Sequence, residues 1–438
     1  MTLPLPPEPQ GDAARTALMA LIRRRSVLGA LEALHHEMGA AFQIPLPGFN
    51  PIMLAGPEAN RFMLVTAADR LCWRVEGDPV GALFRDGLLV LDGERHDWMR
   101  DIMSPALHRR MLDGYVTAIV RQTDRVIADW TTGGPIDMLP QMRRVALLVL
   151  MDTLFGVDFA PVVRRMLPAI LKTLSYISPG PWLVWRGVPR PGYRAPLRRV
   201  DAYLTAVIRQ RRQVGGRADD LLGLLIGAGL DDDLIRDQLI TMLVAGHDTS
   251  TAQLSWVLSL LGRHPLALRR AQGEVDTVLR GTTPAADHLP ELEFLGRVID
   301  ETLRLYPPIH LGNRLAAVDL EFGGYRIPAG RRVLYSIYLA HRDPAYWPHP
   351  RRFDPDCFLP AQRRTRPPFT YLPFGGGRRN CIGFAFAQVE AKVVLARLLQ
   401  RCRFTPAQQR VRVHMGATLE PRPGVMMRVT PRGSTSGP

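Results

Sequence analysis

The sequence predicts a mainly α fold with minor β, organised as a single domain over residues 1–438. Three observations carry this. A helical, apolar-rich pattern runs unbroken from Asp231 to His264, about 50 Å at 1.5 Å per residue, long enough to cross a whole globule. Helical patterning also dominates from Gly93 to about Gly156. Strand signals are short and peripheral, at Ala41–Gly56, around Gly323-Gly324 and near the C-terminus.

In chain order, residues 1–15 read as a tail. Met1 to Asp12 is proline-rich and lacks a charged-then-apolar signal sequence. Pro45, Pro47 and Pro51 break the first strands. Gly133-Gly134-Pro135 interrupts the helical region. Pro179 to Pro196, rich in Pro, Gly, Trp and Arg, reads as a loop between two helices. Asp231, Asp232 and Asp233 put negative charge at the N-terminus of the long helix, and Pro265 ends it. A helix is expected from about Pro290 to Leu305, followed by a hairpin turning at Gly323-Gly324. Ala340 to Pro373 is irregular. A last helix runs from about Cys381 to Gln400, then strands, then a tail at 430–438.

The 438 residues are 46% hydrophobic and 22% charged, an ordinary globular balance. Such a chain buries enough surface to need no staples. Cys72, Cys357, Cys381 and Cys402 are too scattered for a disulfide framework, and no CxxC pair suggests structural zinc. No apolar run reaches about 18 residues, so no transmembrane anchor is expected and a cytoplasmic location follows. The net charge of +15 favours acidic partners. Its arginines are spread along the chain, with no basic tail and no interleaved aromatics, which argues against nucleic acid.

The most informative segment is Pro373 to Gly383. A glycine-rich loop leads to a cysteine at the start of a helix, where the helix N-terminus with Arg378 and Arg379 would favour the thiolate. Gly375, Gly376 and Gly377 let the backbone approach something large and flat. A thiolate so held can be an axial ligand to haem iron. A phosphate cradle is the rival reading, but neither GxGxxG nor GxxxxGKS/T is present. Buried cysteines are usually small core hydrophobes, which suits Cys72, Cys357 and Cys402.

Phe374, Gly377, Arg379, Cys381 and Gly383 match the FxxGxRxCxG signature, and the chain resembles the cytochrome P450 superfamily from about Pro47 to Val429. Glu301-Thr-Leu-Arg304, followed by Pro350-Arg-Arg-Phe353, resembles the family's Glu–Arg–Arg triad. The resemblance thus implies a buried Glu301–Arg304–Arg352 cluster with a structural role. Without it, Glu301 and Arg304 would be an i, i+3 surface pair of little value. Ala245-Gly246-His247-Asp248-Thr249 matches the family's oxygen-binding segment. There Gly246 would open a groove for dioxygen, and the acid–alcohol pair Asp248 and Thr249 would supply protons for O–O cleavage. His247, one step round the helix, is read as packed or solvated. His96 and Arg100, at i and i+4, fall where the family holds haem propionates; Trp98 is the other aromatic at hand. Arg314 and Arg379 complete that set by register. Cys357 stands where the family commonly has arginine.

The resemblance implies a bacterial-type haem-thiolate monooxygenase with the triangular fold of the family, haem lying between the long central helix and the Cys381 loop. It implies haem b, O2 as co-substrate, and NAD(P)H acting indirectly through redox partners. With no Rossmann fingerprint, electrons are expected from a separate acidic ferredoxin or flavodoxin with its reductase, docking near Arg109, Arg110 and Arg378. Family register places pocket walls near Val80–Val90, Leu167–Trp185, Gln238–Ala245, Ile309–Leu311 and Ala417–Leu419. These stretches are mostly apolar and suggest a fatty acid, terpenoid or steroid-like substrate. The rivals are a peroxide-driven peroxygenase and a non-enzymatic haem sensor.

Overall fold

The computed structural model describes residues 3–24, 26–130, 134–178, 192–407 and 410–432. Among them helices predominate, and four small sheets lie at the periphery. The central helix spans Asp232–Arg263 and realises the ends read from the sequence. The Asp231 side chain caps it by accepting from the Leu234 N–H, and Pro265 begins the next helix directly after His264. Among the described residues, Met138–Leu154, Arg194–Val214, Glu293–Leu305 and Phe384–Arg401 make the most extensive helix packing against it. Their apolar faces form the largest core cluster.

The expected run from Gly93 to Gly156 resolves into helices Gly93–Leu107, Arg109–Ala128 and Met138–Leu154. A short strand, Pro135–Asp137, precedes the third and pairs with Met426–Pro431. The expected loop at Pro179–Pro196 lies mostly outside the described residues; helix Arg194–Val214 begins at its end. The largest sheet has five strands, ordered Ala41–Gln43, Ile52–Leu54, Arg332–Ser336, Leu311–Ala316 and Leu71–Cys72. Its one parallel pair aligns Ile52 with Val333. Gly323 and Gly324, both at positive φ, turn the Leu320–Phe322/Tyr325–Ile327 hairpin as expected.

Neither end is free throughout. The Pro7 and Pro6 carbonyls accept from the Gln43 N–H at 2.9 Å and from Gln43 Nε2 at 2.8 Å. The Pro4 carbonyl accepts from the Arg326 N–H, and a helix spans Gly11–Arg24. Near the other end, Met426–Pro431 is the middle strand of a three-stranded sheet, and Arg432 pairs with Asp276. No helix among the described residues is long and apolar enough to cross a membrane.

Candidate active site

From Ile235 to Leu261 every residue of the central helix is buried except Ala245, Gly246 and Thr249. Positions 245 and 249 share one helix face, so a single short facet opens in an otherwise sealed rod. The Thr249 hydroxyl donates to the Ala245 carbonyl at 2.6 Å, one turn back. Asp248 points elsewhere, and its Oδ2 accepts from the Thr418 hydroxyl at 2.9 Å. The acid and the alcohol expected as a pair are therefore not in contact, because neighbouring helix positions diverge by about 100°. Burial, reinforced by the nearby Glu420 carboxylate, pushes the Asp248 carboxyl up to about 6. His247 is fully buried and pushed down to about 3 by desolvation, so it is a neutral core residue. Gly246 also makes room for a neighbouring helix. A Cβ there would sit 2.5 Å from Leu150 Cδ1, so the glycine admits the helix Met138–Leu154.

The last helix begins at Phe384, and Cys381 stands in the turn ahead of it rather than inside it. The Cys381 N–H donates to the Phe374 carbonyl at 2.8 Å, closing the loop on itself. The Phe374 ring packs edge-on to Phe384, centroids 4.8 Å apart. Two of the loop glycines answer to the protein's own packing. Gly377 has φ +66°, and a Cβ would lie 2.1 Å from the Leu64 carbonyl oxygen. At Gly376 a Cβ would meet the Phe369 ring at 2.9 Å. Gly383 is open to ordinary contact with Cys381 Sγ. Cys381 is exposed yet densely surrounded, as a side chain on the wall of a cleft must be. Burial pushes its thiol up; the Gly383 N–H and then Arg100 pull it back. The arginines expected to favour the thiolate are spent elsewhere. Arg378 pairs with Asp97 and Asp69, and Arg379 faces Asp92 at 3.4 Å.

The predicted cations converge. Arg314, 4% exposed, stacks on Trp73 with its guanidinium carbon 3.6 Å from the ring centroid. Arg379 approaches the same ring at 5.6 Å. Arg100 donates to the carbonyl and side-chain oxygen of Asn380, adjacent to Cys381. His96 is buried on the same helix, contacts Asp97 at 3.0 Å, and is held below the usual histidine range by desolvation. Burial, with Arg314 and Arg100 adding repulsion, pushes Arg379 down to about 10 despite Asp92. One buried nitrogen of Arg379, Nη2, has no hydrogen bond. Asp92 itself is engaged by the N–H groups of Trp73 and Arg74. Buried cations with an unsatisfied donor fit an anionic group, and the haem propionates supply that chemistry.

Glu301 and Arg304 form the buried pair, 0% and 2% exposed, with Arg304 Nε donating to Glu301 Oε2 at 2.6 Å. Arg352 corrects the expected triad. Its side chain is exposed, and it contributes only its carbonyl, which accepts from Arg304 Nη2 at 2.9 Å. The space beside the Glu301 carboxylate is taken by the Asp354 N–H and by Cys357 Sγ.

Sequence reasoning missed Glu390. It is buried on the helix after Cys381, and Ser250 Oγ donates to it at 2.6 Å, tying that helix to the central one. Burial pushes its carboxyl up to about 8. Folded, it binds its proton more tightly than unfolded, so stability should fall as pH rises from the ordinary carboxylate range through about 8. Glu390→Gln should therefore gain on the parent in urea melts at pH 8 to 9. An equal pH dependence in both would contradict this.

A cavity of about 1030 Å³ opens beside Leu83, Thr173, Tyr176, Arg194 and Leu197. It matches the first two expected walls in part and is more polar than expected, since Arg74, Glu76, Asp78 and Asp92 also line it. Trp182 and Leu183 lie outside the described residues. Gln238 does not line it; its side chain holds the Asp86 carbonyl and the Leu88 N–H.

A cytochrome P450 family model matches residues 9–428. The chain belongs to the cytochrome P450 family and is a monooxygenase. It is 34% identical to a cyclooctat-9-en-7-ol 5-monooxygenase of Streptomyces melanosporofaciens, over 75% of each chain. The cytochrome P450DA heme domain superposes with a TM-score of 0.85 at 28% identity, covering 99% of this chain and 97% of that one. A retinoic acid-bound cyanobacterial P450 gives a TM-score of 0.86 at 27% identity, covering 98% and 100%. Haem, dioxygen, electrons from redox partners and a small-molecule substrate come with the family.

Proposed function

We propose that this chain inserts one oxygen atom from O2 into a hydrophobic, terpenoid-like small molecule carrying one polar end. The observation that carries the reading is the single exposed facet of the buried central helix, Ala245, Gly246 and Thr249, on a helix pinned by Ser250–Glu390 to the one that follows Cys381. Bound haem b supplies the redox chemistry and the activation of dioxygen. Cys381 would ligate its iron, with Phe374, Gly377 and Gly383 shaping the loop. His96, Arg100, Arg314 and Arg379 would hold its propionates. Asp248 can take up and release a proton close to the working pH, because burial raises its carboxyl to about 6. Thr249 presents a hydroxyl on the open facet, and Ala245 offers the carbonyl that orients it.

The substrate class rests first on the relatives' substrates; the cavity, which neither Cys381 nor the open facet lines, adds the chemistry of its walls. Leu83 and Leu197 offer apolar wall, while the buried Thr173 hydroxyl has no partner. An apolar body with one oxygen function satisfies both. Electrons would come from an acidic ferredoxin or flavodoxin with its reductase, drawn by the net charge of +15. Arg378, 68% exposed but paired with Asp69 and Asp97, is a weaker docking cation than its sequence position suggests. The side chains of Arg109 and Arg110 lie outside the described residues.

A spectral titration of the ferric holoenzyme tests the substrate class. Cyclic terpenoid alcohols and retinoids should shift the iron toward high spin, and unsubstituted hydrocarbons of equal size should do so less. A stronger shift with the bare hydrocarbons would overturn the polar end.

A further inference from the structure

Asp248 is anchored to a distant piece of chain. Its Oδ2 accepts from Thr418 Oγ1, which belongs to the turn of the Arg412–Met415/Leu419–Arg422 hairpin. That turn is fixed from three sides. The Ala417 N–H donates to Ser178 Oγ at 3.2 Å. The Leu419 N–H donates to the Pro308 carbonyl at 3.1 Å, and Trp256 Nε1 donates to the Leu419 carbonyl at 2.9 Å. Thr418 is therefore a held donor and not a mobile surface hydroxyl.

Behind it lies an ion cluster. Glu420 pairs with Arg143 of the Met138–Leu154 helix and with Arg422 at 3.1 Å. Arg143 and Glu420 are largely buried, whereas Arg422 is half-exposed and reaches solvent. These three, with Thr418, are the groups facing Asp248 from the elements packed on it. The adjacent His247 is neutral and adds no charge.

We propose that Thr418, backed by the Arg143–Glu420–Arg422 cluster, is the positioning residue that sets the rotamer and proton affinity of Asp248, and so the proton supply to the open facet. The inference rests on the monooxygenase reading above, in which Asp248 is the proton source. The hydroxyl donates to the carboxylate and so favours the charged form, while Glu420 opposes it. Removing each should move the acid in opposite directions.

The experiment is an infrared titration of the holoenzyme, reading the carboxyl band that disappears in Asp248→Asn. The parent midpoint is expected near 6. Thr418→Val should raise it, Thr418→Ser should restore it, and Glu420→Gln should lower it. In turnover with the compound giving the largest spectral shift, Thr418→Val should lower product per electron about tenfold with unchanged substrate affinity. If Thr418 were only pocket wall, substrate affinity would change and the midpoint would stay, and that result overturns the proposal. A shifted midpoint with unchanged coupling supports the anchor and overturns Asp248 as the proton source, so the two failures are told apart. Thr418→Val leaves every ion pair in place, and Thr418→Ser, which keeps the hydroxyl, together with a urea melt of each variant separates loss of the hydrogen bond from loss of fold.

Discussion

Arg304→Leu is expected to destabilise the protein by about 3–5 kcal/mol, enough to consume much of an ordinary domain's stability. All five guanidinium donors are used. Nε and Nη2 reach the two Glu301 oxygens, Nη1 reaches the His341 and Pro350 carbonyls, and Nη2 also reaches the Arg352 carbonyl. Leucine would leave a buried carboxylate uncompensated and three carbonyls without donors. Part of the loss should appear at the cysteine loop. His341 is buried and pushed down to about 3, and its neutral Nε2 accepts from the Leu372 N–H, two residues before Phe374. Arg304→Lys should fare little better, since an ammonium cannot reproduce the fork. Urea denaturation of the holoenzyme checks this. A loss below about 1 kcal/mol would place the pair among ornamental salt bridges.

Thr249→Ala is expected to uncouple the enzyme. Its hydroxyl is the only side-chain polar group on the open facet, since Ala245 and Gly246 offer none. Without it, electrons should still be consumed while product per electron falls at least roughly tenfold and released peroxide rises. Thr249→Ser keeps the hydroxyl and can make the same bond to the Ala245 carbonyl, so it should retain most of the coupling. Fold and spectrum should be unaffected, because the side chain makes no long-range bond among those described. Unchanged coupling in Thr249→Ala would remove this residue from proton delivery.

What the sequence made legible was local. The central helix declared its own ends through Asp231 and Pro265. Glu301 and Arg304 announced a common face by spacing, and the glycine-rich run before Cys381 announced an unusual loop. What it hid was set by partners far along the chain. Gly246 makes room for Leu150 of another helix. Asp248 turns to Thr418, and Glu390 finds Ser250 across 140 residues. The triad register named Arg352 correctly as a neighbour of Arg304, but only its backbone takes part. Side-chain direction at such places depends on which packed elements leave room, and periodicity carries no trace of that. The propionate set lay between these extremes. Family register brought His96, Arg100, Arg314 and Arg379 together, while the Trp73 ring on which Arg314 stacks had no sequence signal.

Cys381 as the iron ligand is the residue on which the whole site turns. The reduced carbonyl spectrum of the holoenzyme, parent against Cys381→His, tests it most directly. Thiolate ligation should give the parent the red-shifted Soret band of this family, and the variant should lose that band completely while retaining haem held by His96, Arg100, Arg314 and Arg379. A thiolate-type band surviving in Cys381→His would mean that another sulfur holds the iron, and the site built around the Cys381 loop would be wrong.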